Sequence, residues 1–378
     1  MIKFVGVIFS ALTLYANHMD FESACNAKKW EMCNKAVESF YENGTYPRSE
    51  SETKIFHYAK EGCKAGYYNL CLYAGDSYYN NGTQKGIAAD IAKAYELYNK
   101  ACVHSVAIAC NSIGFGYETG AGVTQDYIKA RKFYNKACDG SFAIGCTNLG
   151  NLYLSGNGGN QSVSRAFQLY QQACDGDDGG GCNNLGMLYE AGKGIKKNYN
   201  KAFALYKRAC DGGNMFGCSN VAALYAAGDG VSKNYEKAIE LYQKACESGE
   251  GIACSNLGIL YQTGEDTKKD YAKAFALYTR ACESESAIGC NNLGLLYEFG
   301  NGTKENDQEA FRLYKKACDS KLSYGCVNLG MLYDKGIGVN EDNSKAKEFY
   351  KKACDLGLQE GCKYYKAWFV IDVSRFKY

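Results

Sequence analysis

The sequence predicts an all-α fold: a right-handed α-solenoid of ten helical hairpins, each stapled by one disulfide. Three observations predict it. Twenty cysteines fall into ten pairs with a constant separation of eight, and pair starts recur every 36 residues along most of the chain. The segments between them carry apolar residues at helical spacing. A single proline stands in 378 residues. A fixed period of this length marks a repeat array, in which each unit buries its apolar face against its neighbours.

Composition narrows the function classes. Lys and Arg number 43 against 41 Asp and Glu, a net charge of +2. Such a chain lacks the concentrated positive charge that nucleic-acid binding needs, so no nucleic-acid partner is expected. With 46% apolar and 14% aromatic residues it can bury a large core.

The first elements read as a targeting segment. Met1 to Lys3 supply a basic start, Phe4 to Leu14 an apolar run and Ala16 a cleavage point before Asn17. Residues 1–16 are therefore expected to be a signal peptide and 17–378 one mature solenoid. The run is too short to cross a bilayer, which takes about 20 residues. A secreted or periplasmic product follows, with no membrane span after signal removal.

The pairs are Cys25 and Cys33, Cys63 and Cys71, Cys102 and Cys110, Cys138 and Cys146, Cys174 and Cys182, Cys210 and Cys218, Cys246 and Cys254, Cys282 and Cys290, Cys318 and Cys326, and Cys354 and Cys362. In each, one cysteine ends a first helix and its partner opens a second, so the two meet across the hairpin loop. A bridge closing about nine residues would stabilise by roughly 2.5 kcal/mol in the chain-entropy account. Zinc usually takes CxxC-type spacing or added histidines, and the histidines here are His18, His57 and His104, out of phase. A catalytic redox pair would be CxxC. Structural disulfides are the expected state, with no metal and no cofactor.

Within one repeat, Tyr199, Ala202, Phe203, Tyr206 and Cys210 stand at helical spacing. Twelve residues before each first cysteine comes an N-cap residue: Ser51, Asp90, Asp126, Ser162, Asn198, Asn234, Asp270, Asn306 and Asp342. Ten residues after the second cysteine come glycines suited to a left-handed helix end, from Gly120 to Gly336. Glycine also stands inside most second helices, at 75, 114, 150, 186, 258, 294 and 330, with Ala222 as the central exception. A mid-helix glycine costs about 1 kcal/mol against alanine, so a partner helix is expected to cross there at close range. After Cys362 the repeat pattern breaks, and Trp368 and Phe369 belong to an expected C-terminal capping helix over 363–378. The first repeat, before the lone Pro47, would cap the other end.

Two polar rows run through the copies. Asn148, Asn184, Asn220, Asn256, Asn292 and Asn328 lie two residues after a second cysteine. They are either a peptide-binding row or a hydrogen-bonded ladder between repeats, and the need to satisfy buried amides favours the ladder. A basic residue three after the cap, as in Lys54, Lys93, Lys129, Arg165, Lys201, Lys237, Lys273 and Lys345, opposes the helix dipole. The acids that follow each first cysteine, Asp139, Asp175, Asp211, Glu247, Glu283, Asp319 and Asp355, are its expected partners; an anion-binding row is the alternative. The loops between paired cysteines vary most and form one edge. Asn43, Asn81 and Asn301 stand in Asn-Gly-Thr, readable as glycosylation acceptors or as turn chemistry.

The repeat Lys-Ala-Phe-x-Leu-Tyr-x-Lys-Ala-Cys-Asp followed by Gly-Cys-x-Asn-Leu-Gly-x-Leu-Tyr resembles Sel1-like repeats, relatives of the tetratricopeptide repeat. With a cysteine pair in every copy the chain looks like the Helicobacter cysteine-rich protein family, over about Phe21 to Cys362. The resemblance implies penicillin binding, slow β-lactamase activity and recognition by host proteins. The standard serine machinery is incomplete: Ser51-Glu-Thr-Lys54 and Ser344-Lys-Ala-Lys347 match S-x-x-K, but Ser-Asp-Asn and Lys-Thr-Gly are missing. Ser51 and Lys54 are also explained by the repeat. The function expected is an exported scaffold for a protein or peptide partner, with host proteins and cell-wall fragments as candidates. β-lactam hydrolysis without an assignable catalytic residue is the alternative.

Overall fold

The computed structural model describes residues 25–42, 50–79, 90–264 and 267–375. The signal segment, Pro47, Asn43 and Asn81 lie outside them, as do the side chains of Ser51, Lys54, Trp368 and Phe369. Nineteen helices and no strand occur among the described residues.

The chain divides into two compact units, Met1–Leu185 and Gly186–Tyr378. The first holds helices Trp30–Glu42, Glu50–Lys64, Tyr68–Tyr79, Ile91–Val103, Ala107–Thr119, Tyr127–Asp139, Ala143–Ser155 and Val163–Asp175. The second holds Tyr199–Asp211, Met215–Ala227, Tyr235–Glu247, Gly251–Thr263, Tyr271–Glu283, Ala287–Glu298, Asp307–Asp319, Ser323–Lys335, Asn343–Asp355 and Gln359–Arg375. Gly179–Ala191 contributes residues to both. Each unit is a stack of helical hairpins.

All ten expected cysteine pairs are disulfides, with Cα atoms 4.4–5.0 Å apart. From Cys63–Cys71 onward, each joins the last turn of one helix to the first turn of the next.

Local chemistry sets the helix ends. Asp90, Asp126, Ser162, Asn198, Asn234, Asp270, Asn306 and Asp342 each accept a hydrogen bond from the backbone N–H three residues on, satisfying a donor that the helix itself cannot. Ser51 differs, because its helix starts at Glu50. At the other end Gly120 takes φ 77° and Gly336 φ 67°, the left-handed conformation that stops a helix without a Cβ penalty. The short loop between paired cysteines also needs one left-handed residue. Here six positions are not glycine: Lys28, Ser105, Ser141, Asp177, Glu285 and Lys321. A side chain in that conformation costs about 1–2 kcal/mol, partly offset by glycine's larger loss of freedom on folding. Ser141→Gly is therefore expected to stabilise the chain by about 0.5 kcal/mol, read as a raised midpoint of denaturant unfolding.

The core repeats one contact. The ring of Tyr134 lies against Gly114, that of Tyr278 against Gly258 and that of Tyr314 against Gly294. Each tyrosine belongs to the first helix of the next hairpin and is fully buried. What crosses closely at the glycine is thus an aromatic ring rather than helix backbone. Each hydroxyl donates to the second helix of the preceding hairpin: Tyr134 to Glu118 Oε2 at 2.5 Å, Tyr278 to Gln262 Oε1 at 2.6 Å and Tyr314 to Glu298 Oε2 at 2.6 Å. Burial pushes the three phenols well above their ordinary range. They remain neutral donors at any physiological pH.

Candidate functional site

The six asparagines sit at one register, two residues into the helix beyond the second cysteine, and all are half-buried. In the first unit Asn148 Nδ2 donates to Asn111 Oδ1 at 3.0 Å and Asn184 Nδ2 to Asn151 Oδ1 at 3.1 Å. Asn151 Oδ1 also accepts the Tyr170 hydroxyl at 2.7 Å. In the second unit Asn328 Nδ2 donates to Asn291 Oδ1 at 2.9 Å, and Asn291 Nδ2 to Asn292 Oδ1 at 3.3 Å. Asn148, Asn184 and Asn328 thus link successive hairpins, through the partners Asn111, Asn151 and Asn291, which the spacing of the row did not reveal. The doublets Asn183-Asn184 and Asn291-Asn292 were the available signal.

A carboxamide has two donor hydrogens and two acceptor lone pairs. The ladder bond of Asn148 uses one donor, so the same side chain can hold a backbone group placed beside it. Apolar residues flank the rows: Phe115 in the first unit is 49% exposed, and Met187 in the second is 51% exposed. An extended chain laid there would meet amides and apolar surface alternately.

The basic row departs from expectation. Lys93 pairs with its own cap, Asp90, at 2.7 Å, and Lys129 with Asp126 and Lys345 with Asp342 each at 3.5 Å. The ammonium groups also lie over tyrosine rings of the preceding helix, Lys129 over Tyr117 at 5.0 Å and Lys273 over Tyr261 at 4.9 Å. Cap carboxylate and ring face together offset the unfavourable dipole. The acids after the first cysteine pair one turn back instead, as in Lys207 with Asp211 at 2.6 Å and Lys351 with Asp355 at 2.7 Å. The reason is reach: those acids sit at the far end of the helix. Lys315–Asp319 at 2.8 Å follows the same rule.

One carboxyl is unusual. Asp76 stands where other copies place Asn151 or Met187, and it accepts the Tyr98 hydroxyl at 2.7 Å. Burial pushes its pKa up to about 6, against the opposing pull of that hydrogen bond. A carboxyl whose folded value lies above its unfolded value of about 3.9 favours folding at low pH and loses that contribution as pH rises through 4 to 6. Asp76→Asn is expected to remove this dependence and to stabilise the first hairpins by up to about 3 kcal/mol at pH 7. Hydrogen exchange of residues 68–103 at pH 5 and pH 7.5 reads it.

Ser344 is exposed in a first helical turn, its backbone N–H bonded to Asp342 Oδ1 at 3.1 Å. Among the described residues no group of His, Cys, Asp and Glu could hold a metal ion, and no helix is long and apolar enough to cross a membrane. Ten disulfides point to an oxidising compartment outside the cytoplasm.

Repeated hairpins, stacked through glycine and tyrosine and exposing rows of polar side chains, define a helical-repeat scaffold suited to protein–protein interaction. The Sel1 repeat pattern matches residues 64–102, 107–142, 143–178, 180–214, 216–250, 251–286, 287–322 and 323–358. The chain belongs to the Sel1 repeat family. It is similar to a protective antigen of uropathogenic Escherichia coli with an SLR fold, at 25% identity and a TM-score of 0.58, over 83% of this chain and 67% of that one. A Sel1 repeat protein of Oxalobacter formigenes aligns at 25% identity and TM-score 0.56, over 65% of this chain and 96% of that one. Cysteine rich protein B of Helicobacter pylori aligns at 34% identity and TM-score 0.30, over 35% of this chain and 94% of that one. Among curated proteins none matches.

Proposed function

We propose that the protein is an exported scaffold whose asparagine rows hold an extended segment of a partner protein. The observation that carries this reading is the row of half-buried carboxamides at one register, of which Asn148, Asn184 and Asn328 each donate to an asparagine of the preceding hairpin. Side chains preoriented in this way can bond a peptide backbone without losing much further rotamer freedom. Residues 1–16 direct export, residues 17–378 form a single array of ten units with 363–378 as its C-terminal cap, and the partner is a host surface protein or a cell-wall peptide. β-Lactam binding or hydrolysis, the alternative implied by the family resemblance, has no assigned residue here.

Replacing Asn256 and Asn292 together with alanine should weaken capture of peptides from a displayed library at least tenfold while circular dichroism stays unchanged. Equal capture by the variant would remove the rows from the binding surface. Turnover of a chromogenic cephalosporin by the oxidised protein, abolished by a single substitution that spares the fold, would favour the alternative.

A further inference from the structure

A second surface follows the loops between paired cysteines in the second unit. Residues 211–217, 247–253 and 283–289 contain Asp211, Glu247, Glu250, Glu283 and Glu285 and no lysine, arginine or histidine. On this edge Phe216, Ile252 and Ile288 stand 36 residues apart, exposed by 56%, 48% and 38%. They rim a groove of about 430 Å³ that also includes Gly251, Ser284 and Ser286. Single exposed apolar residues are ordinary, but a row of them along one groove is a contiguous patch.

The floor is built. Glu250 is buried and caps its helix, accepting the N–H groups of Ile252 at 2.9 Å and Ala253 at 2.5 Å. Ser286 Oγ lies 3.0 Å from Ser255 Oγ and accepts the Gly289 N–H at 3.2 Å. A Cβ on Gly251 would stand 3.1 Å from Ser284 and Ser286, so the absence of a side chain there lets the two loops approach each other. Arg280 and Lys316 approach from the helices but spend donors on the carbonyls of Glu247 and Cys282, both at 2.8 Å. No ion pair engages Glu283 or Glu285 among the described residues, and both line the loop edge beside the apolar row.

We propose that this groove docks an extended segment of a partner protein in which bulky apolar residues alternate with lysine or arginine. The apolar rim removes the bulky side chains from water, and the loop carboxylates attract the cations while repelling acidic segments. Packed helices lie about 8–10 Å apart, and a segment in the polyproline II conformation advances about 3.1 Å per residue with three residues per turn. Apolar side chains three residues apart therefore share one face and meet successive hairpins. The asparagine rows play no part in this docking.

The probe is a fluorescein-labelled nonapeptide made of three Lys-Leu-Ser units, with its Glu-Leu-Ser counterpart as control. Anisotropy is measured on the full oxidised chain at low salt. The lysine peptide should bind at least tenfold more tightly than the glutamate peptide, and added salt should weaken it. Ile252→Asp with Ile288→Asp should lower its affinity at least tenfold, as should Glu283→Lys with Glu285→Lys. Asn256→Ala with Asn292→Ala should leave it unchanged, which separates failure here from failure of the asparagine rows. Far-UV circular dichroism and absence of free thiols certify each variant. Absence of binding, equal affinity for the two peptides, or indifference to the groove substitutions would overturn the proposal. So would a concentration-dependent dimer dissolved by Ile252→Asp, because a second copy would then occupy the groove.

Discussion

Reduction of all ten disulfides is expected to unfold the chain completely, and to do so only after the bridges are made accessible. Each bridge closes a loop of about nine residues, worth about 2.5 kcal/mol in the chain-entropy account, so ten sum to about 25 kcal/mol. That exceeds the 5–15 kcal/mol by which ordinary domains are stable. The cysteines of the central hairpins are 0–6% exposed, which keeps reductant out of the native state. Dithiothreitol alone should therefore leave thiols unalkylated, whereas dithiothreitol with denaturant, followed by dilution, should leave no helical far-UV signal. Removing one central pair, Cys246→Ser with Cys254→Ser, should cost about 2–3 kcal/mol and loosen mainly its own hairpin, because stacked repeats contact only neighbours. Refolding of the fully reduced chain to native helicity would show that glycine–tyrosine packing alone carries the fold.

Gly258→Ala is expected to destabilise by about 2–3 kcal/mol, although helix propensity alone predicts a gain of about 1 kcal/mol. A Cβ at this position would lie 2.5 Å from Tyr278 Cε1 and 2.8 Å from Cδ1. The ring is fully buried and its hydroxyl is bonded to Gln262. Moving the ring breaks that bond, and moving the helix opens a void, so overpacking and a lost buried hydrogen bond outweigh the propensity gain. Ala222 shows what a compatible alanine requires. It packs in the same cluster as Tyr242. The position that supplies Glu190, Gln262 and Glu298 elsewhere is Ala226 in this copy. Ala222→Gly should accordingly cost about 1 kcal/mol, the plain helix penalty. Chemical denaturation of both variants tests the pair, and a stabilised Gly258→Ala would contradict the ring contact.

Much of the architecture was legible before any coordinates. Asp126, Asn198 and Asp270 announce helix starts because a cap bonds a backbone N–H only three residues away. Gly120 and Gly336 announce ends because only glycine enters the left-handed region freely. Cys138 and Cys146 had to meet once the intervening turn was short. The candidate site was less legible. The register of Asn148 and Asn328 was plain, yet their partners Asn111 and Asn291 lie 37 residues away, in the neighbouring hairpin. Lys129 was assigned the wrong acid because proximity along a helix surface depends on which end each residue occupies.

Within a single helix or loop, spacing and cap chemistry suffice, because the interacting groups are at most eight residues apart; hence the period, the hairpins and the ten bridges follow from the order of residues. Choices made between hairpins do not. That the repeated glycine receives a tyrosine ring, that the lysines settle over aromatic faces and that Phe216, Ile252 and Ile288 rim one groove depend on how neighbouring hairpins stack. Stacking is set by close packing of whole side chains.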